Sequence, residues 1–249
     1  MKIKKIDAYL SNIYKMENFS GIIKQIRKDR KWMRGGIIVA NHKECIENSA
    51  LANKLFPNFF PKIISLSNET YLRNFINSPT LEKNPEKLEE VIGKMSKFHQ
   101  KGIKKIKNKR SIEINKLNEL WKEGRKALNQ FSKTDNYKSL LTYNIGDAKA
   151  SNLLTNSKYL TFDSEGFSIG DISTDIISLI ESYQFNKKPK LFKKTLEITK
   201  KKYFKTDKNI IEKSLLGLIG IRMLEVNIEN RDEKLLNEVI KLFNKFKNI

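Results

Sequence analysis

The chain has 249 residues, of which 39% are hydrophobic and 10% aromatic. This composition is typical of a folded globular protein and excludes an intrinsically disordered one. Lys and Arg number 49 against 28 Asp and Glu, so the formal net charge is +21 and an anionic partner is favoured: nucleic acid, an acidic membrane surface or a phosphorylated substrate. Lys, Asn and Ile are all abundant, as expected of an AT-rich genome, so compositional drift is the alternative source of this charge.

A single cysteine, Cys45, excludes an intrachain disulfide, and a reducing cytoplasm is the default compartment. The longest apolar run, at 214–221, is far shorter than the roughly 20 residues that a membrane-spanning helix needs. The sequence therefore predicts a soluble, cytoplasmic protein without a transmembrane segment.

Short strands and one helix are predicted in the first 80 residues. Two apolar, β-branched runs on either side of Phe19-Ser20-Gly21 predict a hairpin, and the apolar run at 35–41 fits a strand or the start of a helix. Helical spacing from Lys43 to Leu55 predicts a helix that ends before a proline. Two further strands are predicted around the turn residues Ser67-Asn68.

Beyond this region the pattern becomes helical. One amphipathic helix, predicted to end at Gly102, has an apolar stripe formed by Leu88, Val91, Ile92, Met95 and Phe98. A second long helix is predicted at 112–131, and the last apolar stripe consists of Leu236, Val239, Ile240, Phe243 and Phe246. The predicted class is α+β, with a small β-rich lobe at 1–76 and a larger helical lobe at 77–249.

Residues 144–171 concentrate acids and amides in an otherwise basic chain. Acids held close together repel one another unless solvent, a lysine or a metal ion offsets the repulsion. A Mg²⁺ ion takes hard oxygen ligands, usually one or two carboxylates plus an amide and substrate phosphates, and Asn152 and Asp163 supply such a pair. Asp147 would then remain free to orient or deprotonate an attacking hydroxyl, as phosphoryl transfer requires.

Three motifs in this segment resemble those of the aminoglycoside phosphotransferase and choline kinase superfamily, which shares the protein-kinase fold. The superfamily pattern is His-Gly-Asp-x-x-x-x-Asn, then Ile/Val-Asp-x-Glu, then Gly-Asp-x-x-x-Asp. This chain has Ile145-Gly146-Asp147 with Asn152, Asp163-Ser164-Glu165, and Gly170-Asp171 with Asp175. The resemblance covers about residues 8–180 and implies a bilobal protein-kinase-like fold and a kinase that uses ATP and Mg²⁺.

The resemblance implies that Asp147 is the catalytic base or hydroxyl-orienting residue, and that Asn152 and Asp163 are the magnesium ligands. Lys149 matches a lysine of protein kinases and of some lipopolysaccharide sugar kinases, where it could neutralise charge on the moving phosphoryl group. A solvated lysine in a lysine-rich protein is the equal alternative for Lys149.

Other motif residues are expected to be structural. Asp171 and Asp175 resemble residues that brace the catalytic loop, whereas Glu165 receives no definite role. Ile145 stands where the superfamily has a histidine that mostly supports the loop. His99, at a predicted helix end, is also expected to be structural.

The resemblance also implies a strand lysine that holds the nucleotide phosphates and a helix glutamate that positions this lysine. Lys24 and Glu47 are predicted to take these places. The rival lysine, Lys43, lies too close to Glu47 in the sequence to sit on the preceding strand.

The turn at Leu10-Ser11-Asn12 is expected to cover the phosphates, so Ser11 and Asn12 are predicted nucleotide contacts. The adenine is expected to lie against the link between the lobes, at 73–76, where Phe75 and Ile76 are predicted contacts. The choice between ATP and GTP stays open, because it depends on geometry that the sequence does not reveal.

The favoured acceptor is a small-molecule hydroxyl of a neutral or anionic sugar or alcohol, because a strongly basic protein repels cations such as aminoglycosides and choline. The alternative is an anionic macromolecule, such as RNA or an envelope glycolipid with a lipopolysaccharide core sugar. Basic runs at 101–110, 187–194 and 200–205 favour this alternative, with aromatics interleaved at Phe192, Tyr203 and Phe204. A protein kinase or a pseudokinase scaffold is less favoured, because every expected base and metal position is filled.

Overall fold

The computed structural model describes residues 3–7, 11–16, 21–26, 32–34, 37–107, 140–185, 188–229 and 233–247. These residues form a small antiparallel sheet and a larger helical part, which confirms the predicted α+β class. The helix predicted at 112–131 and the end of the basic run at 101–110 lie outside the described residues.

The main sheet has the strand order β1-β2-β3-β7-β6, with antiparallel neighbours throughout. Its strands are β1 (Ile3–Asp7), β2 (Ser11–Met16), β3 (Gly21–Ile26), β6 (Ile63–Ser65) and β7 (Thr70–Asn74). The pairing of β2 with β3 and of β6 with β7 confirms the two predicted hairpins. A separate two-stranded ladder consists of β4 (Trp32–Arg34) and β5 (Ile37–Ala40), so the apolar run at 35–41 contains a strand.

Helix α1 (His42–Leu55) confirms the predicted helix and begins with a capping box. The Glu44 backbone N–H donates to Asn41 Oδ1 at 3.0 Å, and the Asn41 N–H donates to Glu44 Oε2 at 2.8 Å. On its inner face Cys45 and Ile46 pack in a small buried cluster with Ile26 and Tyr71 of the sheet. This cluster attaches α1 to the face of the sheet on which Lys24 lies.

The larger hydrophobic core lies among the helices. These are α2 (Leu88–Ile106), α3 (Ser173–Phe185), α4 (Pro189–Tyr203), α5 (Ile210–Glu229) and α6 (Glu233–Lys247), and the last of them confirms the predicted C-terminal helix. A two-stranded ladder of β8 (Leu141–Asn144) and β9 (Ser168–Asp171) packs against α2. Tyr143 of β8 stacks on Phe167, the residue before β9, with ring centroids 5.3 Å apart, and this contact holds the two strands together.

Helix α2 continues past Gly102 to Ile106, so the predicted end at Gly102 is wrong. Glycine is present here for close packing, because a Cβ at this position would lie 2.3 Å from Thr142 Oγ1 and 2.9 Å from the Tyr143 nitrogen. The missing side chain therefore lets α2 approach β8 closely.

The basic runs in and after α4 do not present their aromatic side chains together on the surface. Phe192 and Tyr203 are buried in the core, whereas Phe204 is 53% exposed. In an amphipathic helix the apolar residues share the inner face and the lysines occupy the outer one. The expectation of interleaved aromatics available for stacking on bases is therefore wrong for Phe192 and Tyr203.

Among the described residues, no helix is both long and apolar enough to cross a lipid bilayer.

We expect Gly102→Ala to lower the free energy of unfolding by about 1–3 kcal/mol, because the new methyl group would overpack the contact between α2 and β8. Gly93→Ala in the same helix is the matched control, since a Cβ there meets no atom within 4 Å. The control should gain about 0.5–1 kcal/mol from the better helix propensity of alanine. Urea unfolding followed by circular dichroism measures both values, and equal stabilisation by the two substitutions would contradict the packing explanation.

Candidate active site

The backbone that precedes Asp147 is held by one buried carboxylate. Asp175, in the first turn of α3, accepts the N–H of Ile145 at 2.8 Å and that of Gly146 at 2.9 Å, one on each oxygen. Asp175 has no exposed surface, so these hydrogen bonds are formed away from water. The prediction that Asp175 braces this loop is confirmed. Ile145 stands where the superfamily pattern has a histidine, and its side chain lies in the hydrophobic core.

His99 connects this carboxylate to α4. His99 Nε2 lies 2.9 Å from Asp175 Oδ2, and its Nδ1 lies 2.7 Å from the hydroxyl of Tyr203. Burial raises the pKa of Tyr203 well above its ordinary value, so this hydroxyl stays protonated. The structural role predicted for His99 is confirmed, because its side chain is fully buried between three helices.

Asp171 is also structural, as predicted. One of its oxygens accepts the N–H of Leu140 at 2.9 Å, and the other accepts the N–H and hydroxyl of Ser173 at 2.9 and 2.6 Å. The buried ammonium of Lys213 lies 3.3 Å from Asp171 Oδ2. These contacts fix the start of β8 and the start of α3, which lie on either side of the acid-rich segment at 144–171.

Gly146 places the loop of Asp147 against the segment that carries Asp163. Its φ is +91°, a left-handed conformation that favours glycine, and a Cβ here would lie 2.1 Å from the carbonyl oxygen of Gly166. A side chain at position 146 would therefore push the two segments apart.

The structure brings Asp147, Lys149 and Asn152 together on this loop. The Asn152 side-chain amide donates to the Asp147 carbonyl at 3.1 Å and to Asp147 Oδ2 at 2.9 Å. Lys149 Nζ lies 3.1 Å from Asp147 Oδ1, and both side chains are partly exposed. The carboxylate of Asp147 is thus oriented at both oxygens while it remains open to solvent.

Thr161 joins the segments that carry Asn152 and Asp163. Its buried Oγ1 lies 2.9 Å from the carbonyl oxygen of Asn152 and 3.1 Å from that of Asp163, and it accepts the N–H of Asp163 at 3.0 Å. One hydroxyl therefore fixes the spacing between the two residues predicted to bind magnesium.

The side-chain oxygen atoms of Asn152 and Asp163 are hard ligands of the kind that a magnesium ion takes. The amide nitrogen of Asn152 is directed at Asp147, so its Oδ1 is the atom left to serve as a ligand. No cluster of three or more His, Cys, Asp or Glu that could hold a metal occurs in the part of the chain that the structure describes. This is compatible with Mg²⁺, which is usually bound through one or two carboxylates together with substrate phosphates and water.

Lys24 is buried on β3 and faces two acids of the same segment. Its Nζ lies 2.6 Å from Glu165 Oε1 and 3.6 Å from Asp163 Oδ2. Burial alone would lower the pKa of Lys24, but Asp163 and Glu165 outweigh it, so the pKa is raised well above its usual value and the amine stays protonated. The choice of Lys24 over Lys43 agrees with this geometry, because Lys43 lies exposed on α1.

Glu165 is held in place by the sheet and by α1. The Tyr71 hydroxyl donates to Glu165 Oε1 at 3.0 Å, and the side-chain amide of Asn48 donates to the Glu165 carbonyl at 3.0 Å. Burial, followed by the charge of Glu165, raises the pKa of Tyr71 well above its ordinary value, so Tyr71 remains a donor. Burial also raises the pKa of the neighbouring Cys45 to about 12, so its thiol stays neutral.

Glu47 does not contact Lys24, and the expected pairing of these two residues is wrong. The Glu47 side chain is 62% exposed and lies 3.7 Å from Lys43 Nζ, one helical turn away on the same helix. The inner face of α1 is taken by Cys45, Ile46 and Ser49, so the helical period turns Glu47 outward. Glu165 occupies the place beside Lys24 that the resemblance assigned to a helix glutamate.

The remaining predicted nucleotide contacts lie at the ends of strands. Ser11 and Asn12 begin β2, directly after the β1–β2 turn, whose residues 8–10 lie outside the described part of the chain. Phe75 follows β7 and is 38% exposed, with Lys15 Nζ 4.1 Å from its ring centroid, and Ile76 is half-buried. The positions of these four residues do not test whether they contact a nucleotide, so the four contacts stay predictions.

Sequence reasoning missed three residues of the site: Thr161, Tyr71 and Asn48. Thr161 lies two residues before Asp163, and a hydroxyl at this spacing often bonds to nearby backbone, so a local signal existed. Tyr71 and Asn48 reach Glu165 across 94 and 117 positions of sequence, and no local pattern indicates such contacts.

No protein-family model and no curated protein matches this chain. Solved structures do resemble it. The choline kinase of Cryptosporidium parvum Iowa II has a TM-score of 0.59 at 14% identity, covering 99% of this chain and 89% of that one. The ethanolamine kinase of Plasmodium vivax has a TM-score of 0.58 at 14% identity, covering 98% and 81%.

The streptomycin–ATP complex of the aminoglycoside phosphotransferase APH(2")-IIa has a TM-score of 0.54 at 13% identity, covering 94% of this chain and 88% of that one. The similarity to these structures extends over nearly the whole chain at low identity. The chain therefore has the protein-kinase-like fold that these proteins share, as the sequence motifs predicted.

We expect Glu165→Gln to lower the free energy of unfolding by about 2–3 kcal/mol, because it removes the nearest counter-ion of a buried lysine. Asp163 remains 3.6 Å from Lys24 and limits the loss. Glu47→Gln, at an exposed pair, should change it by less than about 1 kcal/mol. Denaturant unfolding of both variants tests the assignment, and a larger cost for Glu47→Gln would show that Glu165 is not the residue that holds Lys24.

Proposed function

We propose that this protein is a Mg²⁺-dependent kinase that transfers the terminal phosphoryl group of a nucleoside triphosphate, ATP in the sequence prediction, to a hydroxyl group of a small molecule. The observation that carries the proposal is one connected arrangement: Asn152 contacts Asp147, Thr161 joins Asn152 to Asp163, and Lys24 lies beside Asp163. Phosphoryl transfer depends mainly on positioning and charge stabilisation, and these residue types supply both. The kinase fold of the structural neighbours supports the same reaction class.

In this proposal Lys24 would contact the nucleotide phosphates, and Glu165 keeps its ammonium group in position. Asn152 Oδ1 and the Asp163 carboxylate would hold a magnesium ion, which would neutralise negative charge on the phosphates. The hydrogen bonds of Thr161 to Asn152 and Asp163 keep these two residues at a fixed spacing. Such preorganised charge needs no rearrangement at the moment of reaction.

Asp147 would orient the acceptor hydroxyl and accept its proton as the oxygen attacks the terminal phosphorus and the nucleoside diphosphate leaves. Asn152 fixes one oxygen of Asp147, and Lys149 lies beside the other. Because Lys149 lies 3.1 Å from the proposed base, it would offset charge on the phosphoryl group, and this position supports the first of its two sequence interpretations.

We propose a neutral or anionic sugar or alcohol as the acceptor. The net charge of +21 opposes the approach of cationic acceptors, although salt screens this effect beyond about 8–10 Å. RNA and envelope glycolipids lose part of their support, because two of the three aromatic residues interleaved with the basic runs are buried.

We also propose the division into lobes at 1–76 and 77–249. The last strand of the main sheet ends at Asn74 and α2 begins at Leu88, which supports a boundary between them. The nucleotide would bind between the lobes, against residues 73–76.

We expect Asp147→Asn to retain nucleotide binding but to lower turnover by about 10²–10⁴-fold, because it removes the proton acceptor. Asp163→Ala should abolish Mg²⁺-supported nucleotide binding, because it removes the carboxylate that holds the metal. Calorimetric titration with nucleotide, with and without Mg²⁺, separates the two effects. Glu89→Gln on the exposed face of α2 is the control and should behave like the unmodified protein. Full activity of both site variants on an identified acceptor would refute the assigned roles.

The acceptor is identified by incubating the protein with γ-labelled ATP or GTP and separate pools of metabolites, total RNA and cell-envelope glycolipid. We expect label in a small sugar or alcohol, with turnover that changes little with salt. Label in RNA, with binding that weakens steeply as salt rises, would favour a macromolecular acceptor. Efficient labelling of kanamycin-like polycations would refute the argument from charge.

A further inference from the structure

Arg73 is a buried arginine whose guanidinium lacks an anionic partner among the described residues. The residue is only 7% exposed on β7. Its Nη1 makes one long hydrogen bond, 3.4 Å to the carbonyl oxygen of Asn74, and its Nε is buried without an acceptor. The guanidinium carbon lies 5.3 Å from the ring centroid of Phe162, the residue that precedes Asp163.

Burial of the Arg73 guanidinium without acceptors for all of its N–H groups costs free energy unless a ligand supplies the missing acceptors. Arginine carries five N–H donors, and it is seldom buried unless its charge is paired. Buried donors in folded proteins are nearly always satisfied, so an orphaned one calls for an explanation. The contact with Phe162 stabilises the charge but accepts no hydrogen bond in the plane of the guanidinium. The unsatisfied donors of Arg73 would thus be available to an acceptor that binds at the proposed nucleotide site between the lobes.

The strand register places Arg73 on the same face of the sheet as Lys24. Lys24 lies opposite Tyr71, and Ile22 lies opposite Arg73, so all four side chains share one face. Arg73 is two residues beyond Tyr71, or roughly 6–7 Å along the strand, and is the first residue of the link at 73–76. Lys24 and Asp163 mark the phosphate end of the proposed nucleotide site, so Arg73 lies toward the end where the base is expected.

We propose that Arg73 reads the edge of the purine base and makes the site select guanine over adenine. The inference rests on the proposed nucleotide-binding function and deepens it. Guanine presents two adjacent acceptors, O6 and N7, which match the fork of a guanidinium. Adenine presents N7 beside an amino group, so one donor of Arg73 would face another donor and stay unsatisfied.

The dissociation constants of four nucleotides, measured by calorimetry in the presence of Mg²⁺, test this directly. GTP and ITP both carry O6 and N7, so we expect each to bind about tenfold or more tightly than ATP. 7-Deaza-GTP lacks the N7 acceptor and should bind between GTP and ATP. This series uses the unmodified protein, so it does not depend on the folding of any variant.

Two substitutions then assign the preference to Arg73. Arg73→Met keeps an apolar stem over Phe162 but has no donors, so it should weaken GTP and ITP while leaving ATP unchanged. Arg73→Lys keeps the charge without the fork and should lose most of the preference. Lys193→Met on the exposed face of α4 removes one positive charge away from the cleft and should retain the preference. Thermal unfolding of each variant checks that it is folded.

Each result separates the inference from the proposed function. Binding of ATP as tightly as GTP by the unmodified protein would overturn the role of Arg73 and leave the kinase proposal intact. Equal weakening of GTP and ATP by Arg73→Met would also overturn it, because it would assign Arg73 to the phosphates. Failure of all four nucleotides to bind would overturn the nucleotide site itself.

Discussion

The fold of the loop that carries Asp147 depends on both oxygens of Asp175. They accept the backbone N–H groups of Ile145 and Gly146, and one of them also contacts His99. A buried N–H group that loses its acceptor costs about 1–3 kcal/mol, so these bonds are a strong constraint on the chain before Asp147. Through His99 and Tyr203 the same carboxylate is tied to α2 and α4, and the loop is therefore anchored to the helical core.

A second constraint joins the sheet to this loop. Lys24 comes from β3, and its two acidic partners, Asp163 and Glu165, come from the segment after the loop. Glu165 also accepts hydrogen bonds from β7 and α1, so a single glutamate contacts three elements of the chain. The position of the lysine relative to the loop is consequently set by side chains in a buried, weakly screened environment.

Much of the fold follows from local patterns in the sequence. Apolar, β-branched runs around one turn and the turn residues Ser67-Asn68 predicted the hairpins of the sheet, and helical spacing predicted α1, α2 and the C-terminal helix. Gly102 misled this reasoning, because a glycine near a helix end indicates a cap as readily as it indicates close packing. The difference lies in Thr142 on a neighbouring strand, which no local pattern reveals.

The motifs predicted which residues gather at the site better than they predicted their partners. Asp147 and Asn152 are contacts within one loop, so their spacing carried the information. Whether Glu47 can pair with Lys24 depends on which face of α1 is turned toward the sheet. A glutamate at position 47 matches the superfamily motif in residue type, but the motif does not specify that face. The sequence placed Arg73 in the link at 73–76, but the lack of an acceptor for its buried Nε is a property of the packed structure that no local pattern reveals.

The amphipathic packing of α4 has a consequence for how this protein is handled and how it can evolve. Its core side is fixed by Phe192 and Tyr203, while Lys193, Lys194 and Lys200 lie on the outside. Lysines in such positions can be gained or lost by mutation with little effect on folding. They also give the molecule a cationic coat to which cellular polyanions adhere during purification, and dilute buffers strengthen this adhesion. Nucleic acid that co-purifies at low ionic strength would therefore be bound to these surface lysines. A wash at high ionic strength would remove this nucleic acid and leave any ligand that is bound between the lobes.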